Sequence, residues 1–332
     1  MNKKTFLITY DKTDSGLAYY FFEELKKNIN IDLLSTNFKN NDLISKIKRK
    51  FGYRVSNTNY NLIIDSIKKS NCFKNIILFN CAGLNEEQIN NLDKIPNSKL
   101  YLYSSDHLTG MEKYKKISTL KSLSLYDKVI VFSKNMIPIY YQYGAKNVDH
   151  IPFGYSINRH LNKKIINEKD ISDDVVYFGS WGPHIEVILN EVSKFFNLKI
   201  YGNGWKHSKY NSLKTIANST KYDGNTMRDL ANKASVVINF IRAEHGCFTS
   251  MKTFELAASG ACIITNYTED QNIFFHNSEF SYFNTSEELK DKISFLLNNK
   301  KANIEQRKKS LETVSNYNYN NISKQLIDSL NL

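Results

Sequence analysis

The chain has 332 residues, of which 41% are hydrophobic and 13% aromatic. This composition excludes a disordered chain and supplies enough apolar side chains for about two packed domains. The formal net charge of +12 suits an anionic partner such as a nucleotide, a phospholipid surface or nucleic acid. Because the lysines are spread along the chain, a solvated basic surface fits the same number.

No targeting or metal signal stands out. The N-terminus enters a short strand-like segment without the apolar core of a signal peptide, and no apolar run reaches the ~18 residues that a membrane span needs. We therefore expect a cytoplasmic protein, and peripheral contact with the inner face of the membrane stays open. The cysteines, which form no C-x-x-C pair, predict free thiols and no metal site. They are Cys72, Cys81, Cys247 and Cys262.

Short apolar segments alternate with segments of helical spacing in both halves of the chain. In the first half, strands are predicted at 5–10, 31–35, 75–80, 99–104 and 128–133, and helices at 17–28, 59–70 and 134–143. In the second, strands are predicted at 175–179, 198–201, 235–240 and 261–265, and helices at 184–196, 226–233, 249–260 and 286–297. This alternation predicts an α/β fold with two parallel sheets.

The predicted domains are residues 1–153 and 154–302, followed by a helical tail at 303–332 that packs back towards the first domain. In open parallel sheets, ligands bind at the carboxyl ends of the strands. We therefore expect the site in a cleft between the two domains, lined by the loops that follow the strands.

The most informative stretch is the predicted helix that Thr249 or Ser250 can cap and that Gly260 can end in a left-handed turn. Lys252 lies in its first turn, where the helix dipole favours an anion rather than a cation. Glu255 follows on the same side of the helix. Together they could hold a phosphate and a vicinal diol of a sugar nucleotide, or they could form an exposed ion pair.

Loops after the predicted strands of the second half supply the other candidate ligand contacts. Their glycines allow close backbone approach, and a following helix N-terminus can bind an anion. The pattern G-x-G-x-x-G is broken by His207, which disfavours a dinucleotide-binding dehydrogenase. Trp205 could shelter a base or cap the core, and Glu244 and His245 could touch sugar hydroxyls or cap a turn. The candidates are Gly179, Ser180, Trp181, Gly182, His184, Gly202, Gly204, Trp205, Glu244 and His245.

The first half offers one pair of candidate catalytic residues. Asp106 and His107 follow the strand predicted at 99–104, and either could act as a general base towards an acceptor hydroxyl. The alternative is a histidine that is hydrogen-bonded for structural reasons. The loop at 13–16, after the first strand, is also expected to line the cleft.

The order of four motifs resembles the donor half of GT-B glycosyltransferases, and the resemblance is closest to their CgeB-like, spore-maturation type. The motifs are Val176-Tyr-Phe-Gly-Ser180, Ile200-Tyr-Gly-Asn-Gly-Trp205, Val236-Val-Ile-Asn-Phe240 and Ser250-Met-Lys-Thr-Phe-Glu-Leu-Ala-Ala-Ser-Gly-Ala261. Residues 126–131 and 144–154 are similar to that family's approach to the interdomain linker.

The resemblance implies two Rossmann-like domains, an N-terminal acceptor side and a C-terminal donor-binding side. It also implies a nucleotide-sugar donor as substrate, no tightly bound cofactor and no metal. By position, Glu255 would take the ribose hydroxyls, and Lys252 with the backbone of residues 179–182 would take the diphosphate. Two positions depart from the pattern. Cys247 stands where retaining relatives carry a glutamate, and His184 with Glu186 stands where many CgeB-like chains have an arginine.

We therefore expect a metal-independent glycosyltransferase that moves a sugar from a nucleotide-sugar donor to an acceptor hydroxyl, in surface polysaccharide or glycan biosynthesis. The acceptor would be a glycan, a lipid-linked molecule or another hydroxyl compound. Three alternatives remain. They are a nucleotide-sugar epimerase or hydrolase of the same fold, a DNA-modifying glycosyltransferase, and a non-catalytic module that binds a sugar nucleotide or nucleic acid.

Overall fold

The computed structural model describes residues 3–10, 16–37, 55, 57–108, 111, 113–164, 167–219, 222–242 and 249–332. Contacts divide these residues into two units. The first contains the described residues up to Pro152 together with residues 319–332, and the second contains residues 153–242 and 249–318.

The first unit is a six-stranded parallel sheet with helices. Its strands are β1 (Lys3–Thr9), β2 (Ile31–Ser35), β3 (Phe73–Phe79), β4 (Ser98–Ser104), β5 (Lys128–Val131) and β6 (Val148–His150). Its helices are α1 (Leu17–Leu25), α2 (Asn57–Lys68), α3 (Glu86–Asp93), α4 (Lys113–Ser122) and α5 (Ile137–Gln142). The strand order is β2-β1-β3-β4-β5-β6, and every neighbouring pair is parallel. The central strands are continuous apolar runs because both faces of such a sheet are covered.

The second unit repeats this plan. Its strands are β7 (Val175–Phe178), β8 (Leu198–Tyr201), β9 (Ala217–Asn218), β10 (Val236–Asn239), β11 (Ile263–Asn266) and β12 (Ser281–Phe283). Its helices are α6 (Ile157–His160), α7 (Pro183–Ser193), α8 (Asn211–Ile216), α9 (Gly224–Lys233), α10 (Met251–Ala258), α11 (Glu269–Phe274), α12 (Ser286–Asn298) and α13 (Lys300–Val314). The strand order is β12-β11-β10-β7-β8-β9, again parallel throughout.

The predicted α/β fold with two parallel sheets is confirmed, and every predicted strand occurs with its ends within about two residues. The strands that the sequence did not predict are β6, β9 and β12, which are short and lie at sheet edges. A short edge strand needs no continuous apolar run, so it leaves little signal. The helices that were not predicted, α3, α4, α6, α8 and α11, are short or polar.

The predicted helical tail consists of two helices that belong to different units. Helix α13 lies in the second unit, whereas the last helix, α14 (Tyr319–Leu330), lies in the first. Within the first unit α14 packs on α1, where the ring of Tyr319 stacks on Tyr20 at 5.4 Å between centroids. The hydroxyl of Tyr101 on β4 donates to the carbonyl of Leu330.

A single arginine ties together three helices of the second unit. Arg307, on α13, has no exposed surface. Its guanidinium donates to the carbonyls of Asn232 (2.7 Å), Gly260 (2.8 Å) and Ala234 (2.5 Å), all at or just beyond the ends of α9 and α10. Its Nε donates to Asn303 Oδ1 at 2.6 Å. The cation thus satisfies carbonyls that helix C-termini leave without an intrahelical partner.

Two further observations concern membrane and thiol chemistry. In the part of the chain that the structure describes, none of the helices combines the length and the apolar character needed to cross a bilayer. The described cysteines, Cys72, Cys81 and Cys262, are free thiols, as predicted. Cys247 lies outside the described residues.

Candidate functional site

The second sheet has a topological switch point between β7 and β10. The chain proceeds from β7 through β8 to β9 on one side, and from β10 through β11 to β12 on the other. The connections that follow these two neighbouring strands therefore diverge and leave a crevice at their carboxyl ends. Residues that follow Phe178 and Asn239 are the first place to look for ligand-binding groups.

The loop that follows β7, residues 179–182, packs backbone against backbone on the loop that follows β8. The N–H of Gly179 donates to Tyr201 O at 2.9 Å, and the N–H of Trp181 donates to Asn203 O at 2.8 Å. Gly202 has φ +154°, and a Cβ there would lie 2.1 Å from the carbonyl oxygen of Gly179. The contact between the two loops therefore requires glycine at 202.

Glu186 holds the next part of the loop in place. Its carboxylate, on a residue that is 1% exposed, accepts hydrogen bonds from the indole N–H of Trp181 and the backbone N–H of Lys209, both at 2.9 Å. Burial raises the pKa of Glu186, but the bonds from Trp181, Ser208 and Lys209 outweigh it, and the net pKa is lowered. The protein thus uses a buried anion at this position to fix Trp181.

Trp205, which follows Gly204, holds the loop at 179–182 through a hydrogen bond to its backbone. Trp205 is 1% exposed, and its indole N–H donates to Gly179 O at 3.0 Å. This arrangement corrects the interpretation of Trp205 as a ligand contact, because its ring packs in the core and its one donor is already used. Gly204 precedes it with φ +85°, in the left-handed region that favours glycine.

Arg242, which sequence analysis did not single out, binds the same loop from the β10 side. Its Nη2 donates to Ser180 O at 2.7 Å and lies 3.4 Å from Trp181 O. A partly buried guanidinium thus crosses the switch point from the β10 connection to the β7 connection. Because the carbonyls of Ser180 and Trp181 accept from a cation, the loop is anchored with a positive charge beside it.

Lys252 lies in the first turn of α10, as predicted, and reaches the end of β7. Its Nζ donates to Phe178 O at 2.6 Å, immediately before the loop at 179–182, which we call the glycine loop. Burial lowers the pKa of this ammonium group, Glu255 raises it, and Arg242 lowers it again, with a net decrease. A partly buried cation whose pKa is lowered is stabilised when an anion binds beside it.

Glu255 is buried one turn further along α10. It is 6% exposed, and its Oε1 lies 3.6 Å from His160 Nε2. The ion pairs found among the described residues include none between Lys252 and Glu255, and the alternative of an exposed pair does not hold. Burial raises the pKa of Glu255 to about 7, against the opposing effect of Lys252. Burial is the larger of these two effects, so the neutral form of the Glu255 carboxyl is favoured more than in an exposed glutamate.

Among the described residues, no side chain caps the N-terminus of α10. Ser250 is the N-cap residue, but its hydroxyl contacts Thr253 Oγ1 at 3.3 Å and makes no capping hydrogen bond. Thr249 is 1% exposed, and its hydroxyl finds no hydrogen-bond partner among the described residues. The helix ends at Gly260 with φ +72°, which confirms the predicted left-handed turn.

Three candidates from the second half of the chain remain, namely His184, Glu244 and His245. His184 is exposed in the first turn of α7. Glu244 and His245 lie outside the described residues, so their predicted contact with sugar hydroxyls stays a prediction.

Asp106 and His107 lie in the first unit, after β4, as predicted. The amide of Asn80 donates to Asp106 Oδ2 at 3.2 Å and to Ser105 Oγ at 2.6 Å. His107 is 7% exposed. Asn80 follows β3 at the switch point of the first sheet and opens a run of four left-handed residues that ends at Gly83. The general-base role of Asp106 or His107 stays a prediction.

The residues that sequence analysis missed share one property. Arg242 and His160 carry no local motif, since one follows a strand by three residues and the other closes a one-turn helix. Position after the carboxyl end of β10 was the only signal that could have indicated Arg242. Within the described ranges, no group of three or more His, Cys, Asp or Glu side chains is arranged to hold a metal ion.

Comparisons with known proteins agree with this geometry. A family model described as "Glycosyl transferase-like" matches residues 185–328. A search of curated protein sequences gives no significant match.

Solved structures match over nearly the whole chain at low identity. HepE of Anabaena in complex with UDP and glucose is 10% identical over 99% of both chains, with a TM-score of 0.69. Sucrose-phosphate synthase from Thermosynechococcus elongatus is 11% identical over 99% of this chain and 98% of its own, with a TM-score of 0.70. An alpha-glucosyltransferase in complex with UDP-glucose and DNA containing an abasic site is 12% identical over 99% of both chains, with a TM-score of 0.66.

At such identities the solved structures establish the fold, and the family model covers the second unit from residue 185 onwards, which includes Lys252 and Glu255 but not the loop at 179–182. The match over residues 185–328 and the shared two-domain architecture together identify the chain as an enzyme of the glycosyltransferase class with the GT-B fold.

Proposed function

We propose that this enzyme transfers a sugar from a nucleoside-diphosphate sugar, with UDP as the first candidate nucleotide, to an acceptor hydroxyl. The observation that carries the proposal is the convergence of Lys252, Arg242 and Glu255 at the switch point of the second sheet, around the glycine loop at 179–182. UDP is preferred because similar folds are found in complex with UDP and UDP-glucose.

The diphosphate would lie between the two cations. Lys252 is bonded at the start of the glycine loop and Arg242 within it, so both charges flank the backbone that the phosphates would approach. The uncapped N-terminus of α10 adds N–H donors, and the hydroxyl of Thr249 adds a buried polar group. Three sources of positive potential in one place support binding of a dianionic group without a metal ion.

The ribose diol would bind Glu255. A carboxylate accepts a vicinal diol with both oxygens, and the Glu255 carboxylate lies 6% exposed on the same helix as Lys252. One face of α10 would therefore hold the sugar of the nucleoside and its phosphate together.

In the reaction, the bond between the acceptor oxygen and the anomeric carbon forms while the bond from that carbon to the β-phosphate oxygen breaks. The electron pair of the broken bond remains on the phosphate, where Lys252, Arg242 and the helix N-terminus stabilise it. The proton of the acceptor hydroxyl passes to a base, for which Asp106 or His107 of the first unit is the proposal. Independence of metal is part of the same proposal.

The acceptor side carries a further charge signal. Residues 1–152 contain 23 Lys and Arg against 14 Asp and Glu. This excess favours an acceptor with negative charge, and DNA-containing complexes occur on a similar fold. A glycan or lipid-linked acceptor in surface polysaccharide assembly remains the proposed class, with the CgeB-like type and a cytoplasmic location, and a DNA acceptor is the second candidate.

A thermal-shift panel tests the donor site. The apparent unfolding temperature should rise with UDP or another nucleoside diphosphate, following RT ln(1 + [L]/Kd), and CMP should have a smaller effect because it lacks the second phosphate. Inorganic phosphate serves as the control for an unspecific anion effect. If no nucleoside diphosphate stabilises the protein, the proposed donor site is wrong.

Affinity for UDP-glucose should fall as the pH is lowered from about 8 to 6. Glu255 has a pKa of about 7 in the free protein, and only the ionised form accepts from the diol with both oxygens, so Kd should rise by up to about tenfold per pH unit below that value. UDP-glucose is chosen because its phosphates do not titrate in this range. Calorimetric titration measures the effect, and Glu255→Gln should give a weak but flat profile.

The stability of the free protein should have the opposite dependence. The pKa of Glu255 is raised above its ordinary value of 4.5, so the folded state holds this proton more tightly than the unfolded state. Its contribution to stability is present below about pH 4.5 and is lost as the pH rises to about 7.

For the affinity prediction, a pH dependence of UDP-glucose affinity that Glu255→Gln leaves intact would contradict the assignment of Glu255 to the diol.

A further inference from the structure

His160 is buried beside Glu255 in a geometry that fixes which ring nitrogen carries the proton. The backbone N–H of Ser156 donates to Nδ1 at 3.1 Å. Because a backbone N–H can only donate, Nδ1 must be unprotonated, and the proton of a neutral imidazole is on Nε2. Nε2 is the atom that lies 3.6 Å from Glu255 Oε1.

The surroundings of His160 keep the imidazole neutral. It is 1% exposed. Burial first, and then the guanidinium groups of Arg159 on α6 and Arg228 on α9, together lower its pKa to about 4. From α10, Glu255 faces the ring, and Lys252 lies one turn away. Near neutral pH the group that titrates in this cluster is therefore the carboxyl and not the imidazole.

Helix α9 approaches His160 at a glycine. A Cβ at Gly224 would lie 2.6 Å from His160 Nε2 and 3.0 Å from Arg159 Cβ. Such distances are well below any allowed contact, so the position of the ring depends on the missing side chain at 224. Glycine at 224 therefore leaves room for the imidazole ring, whose Nε2 faces Glu255.

We propose that His160 is a positioning residue that holds the Glu255 carboxylate for the hydroxyls of the donor, through a neutral imidazole whose Nε2–H faces Oε1. The 3.6 Å separation is longer than a hydrogen bond, and such contacts shorten when a ligand fixes the carboxylate. With Oε1 held by His160, the carboxylate keeps one orientation towards the diol. This role of His160 adds a residue to the proposed donor site, and the inference rests on the proposed function.

The test compares His160→Leu, His160→Gln and the wild type by calorimetric titration of UDP-glucose between about pH 6 and 9. Loss of the Nε2–H donor should move the pH midpoint of binding upward by about one unit, so affinity at pH 7 should fall about fivefold and largely recover at pH 9. His160→Gln retains an N–H donor and should shift the midpoint less. A merely structural histidine would weaken binding equally at every pH.

Gly224→Ala offers an independent route to the same effect, because its Cβ displaces the imidazole without removing it. It should move the midpoint in the same direction as His160→Leu. His276→Leu, at an exposed histidine of the same unit, should leave the profile unchanged. In a Glu255→Gln background, His160→Leu should cause no further pH-dependent loss.

A measurement without ligand separates this inference from the proposed function. The pKa of the Glu255 carboxyl can be read by ¹³C NMR of glutamate-labelled protein, with Glu255→Gln providing the assignment. An unchanged pKa in His160→Leu would overturn the inference even if nucleotides bind. A raised pKa, together with failure of every nucleoside diphosphate to bind the wild type, would support the contact and overturn the proposed donor site instead.

Discussion

Glu255→Ala is expected to lower the affinity for UDP about 100-fold while leaving the fold intact. Hydrogen bonds to a charged group contribute about 1.5–3 kcal/mol each, and the diol would donate two to this carboxylate. At the lower limit of this range the two bonds together contribute roughly 3 kcal/mol, which corresponds to a factor of at least about 100 in Kd. Calorimetric titration near pH 8 measures the change, because the carboxyl with a pKa of about 7 is then mostly ionised.

Two controls make this result interpretable. Glu191→Ala removes a carboxylate of α7 that pairs with Lys194 at the surface, and it should leave UDP affinity unchanged. Circular dichroism and the unfolding temperature without nucleotide should show that Glu255→Ala is folded. An affinity within about threefold of the wild type would remove Glu255 from the site, because loss of a carboxylate that binds the ligand should weaken binding by more than this.

Arg307→Met is expected to destabilise the protein by about 4 kcal/mol. The substitution leaves the carbonyls of Asn232, Gly260 and Ala234 buried without their donor, and each unsatisfied buried group costs about 1–3 kcal/mol. Part of this cost is offset because a charged group no longer has to be buried. In a unit of this size the loss corresponds to a decrease of roughly 8–16 °C in Tm.

Lys308→Met is the matched control, since Lys308 is the next residue of α13 and is exposed. It should change the free energy of unfolding by less than about 0.5 kcal/mol. Urea unfolding followed by circular dichroism measures both variants. Arg307→Lys should recover little of the loss, because an ammonium group cannot reproduce the planar set of donors. A loss below about 1 kcal/mol in Arg307→Met would show that water replaces these bonds.

The sequence predicted best where a structural rule acts locally. Continuous apolar runs such as Ile76–Leu78 identify strands that are buried on both faces, whatever they pair with. Lys252 and Glu255 were predicted to share one helix because their spacing and the cap and stop signals lie within one dozen residues. Edge strands β6, β9 and β12 were not predicted because strands of two or three residues are too short to contain such a run.

The environment of those two residues could not be predicted in the same way. Nothing near Glu255 in the sequence indicates that His160, 95 positions earlier, would lie 3.6 Å from its carboxylate. Arg242 likewise becomes part of the site only because β10 is the neighbour of β7, which places its guanidinium on the carbonyl of Ser180. Strand order is decided by packing of whole layers, and no local pattern encodes it.

The sequence by itself determined that this protein has two parallel α/β sheets and that a helix carrying Lys252 and Glu255 follows a strand in the second half. These features depend on side-chain periodicity and helix-end chemistry, which act within one or two turns. Only the tertiary structure decided that Trp205 supports the core, that Arg242 binds the loop at 179–182, and that Glu255 is buried with a pKa near 7. Burial and charge are properties of the neighbours in space, and those neighbours come from distant parts of the chain.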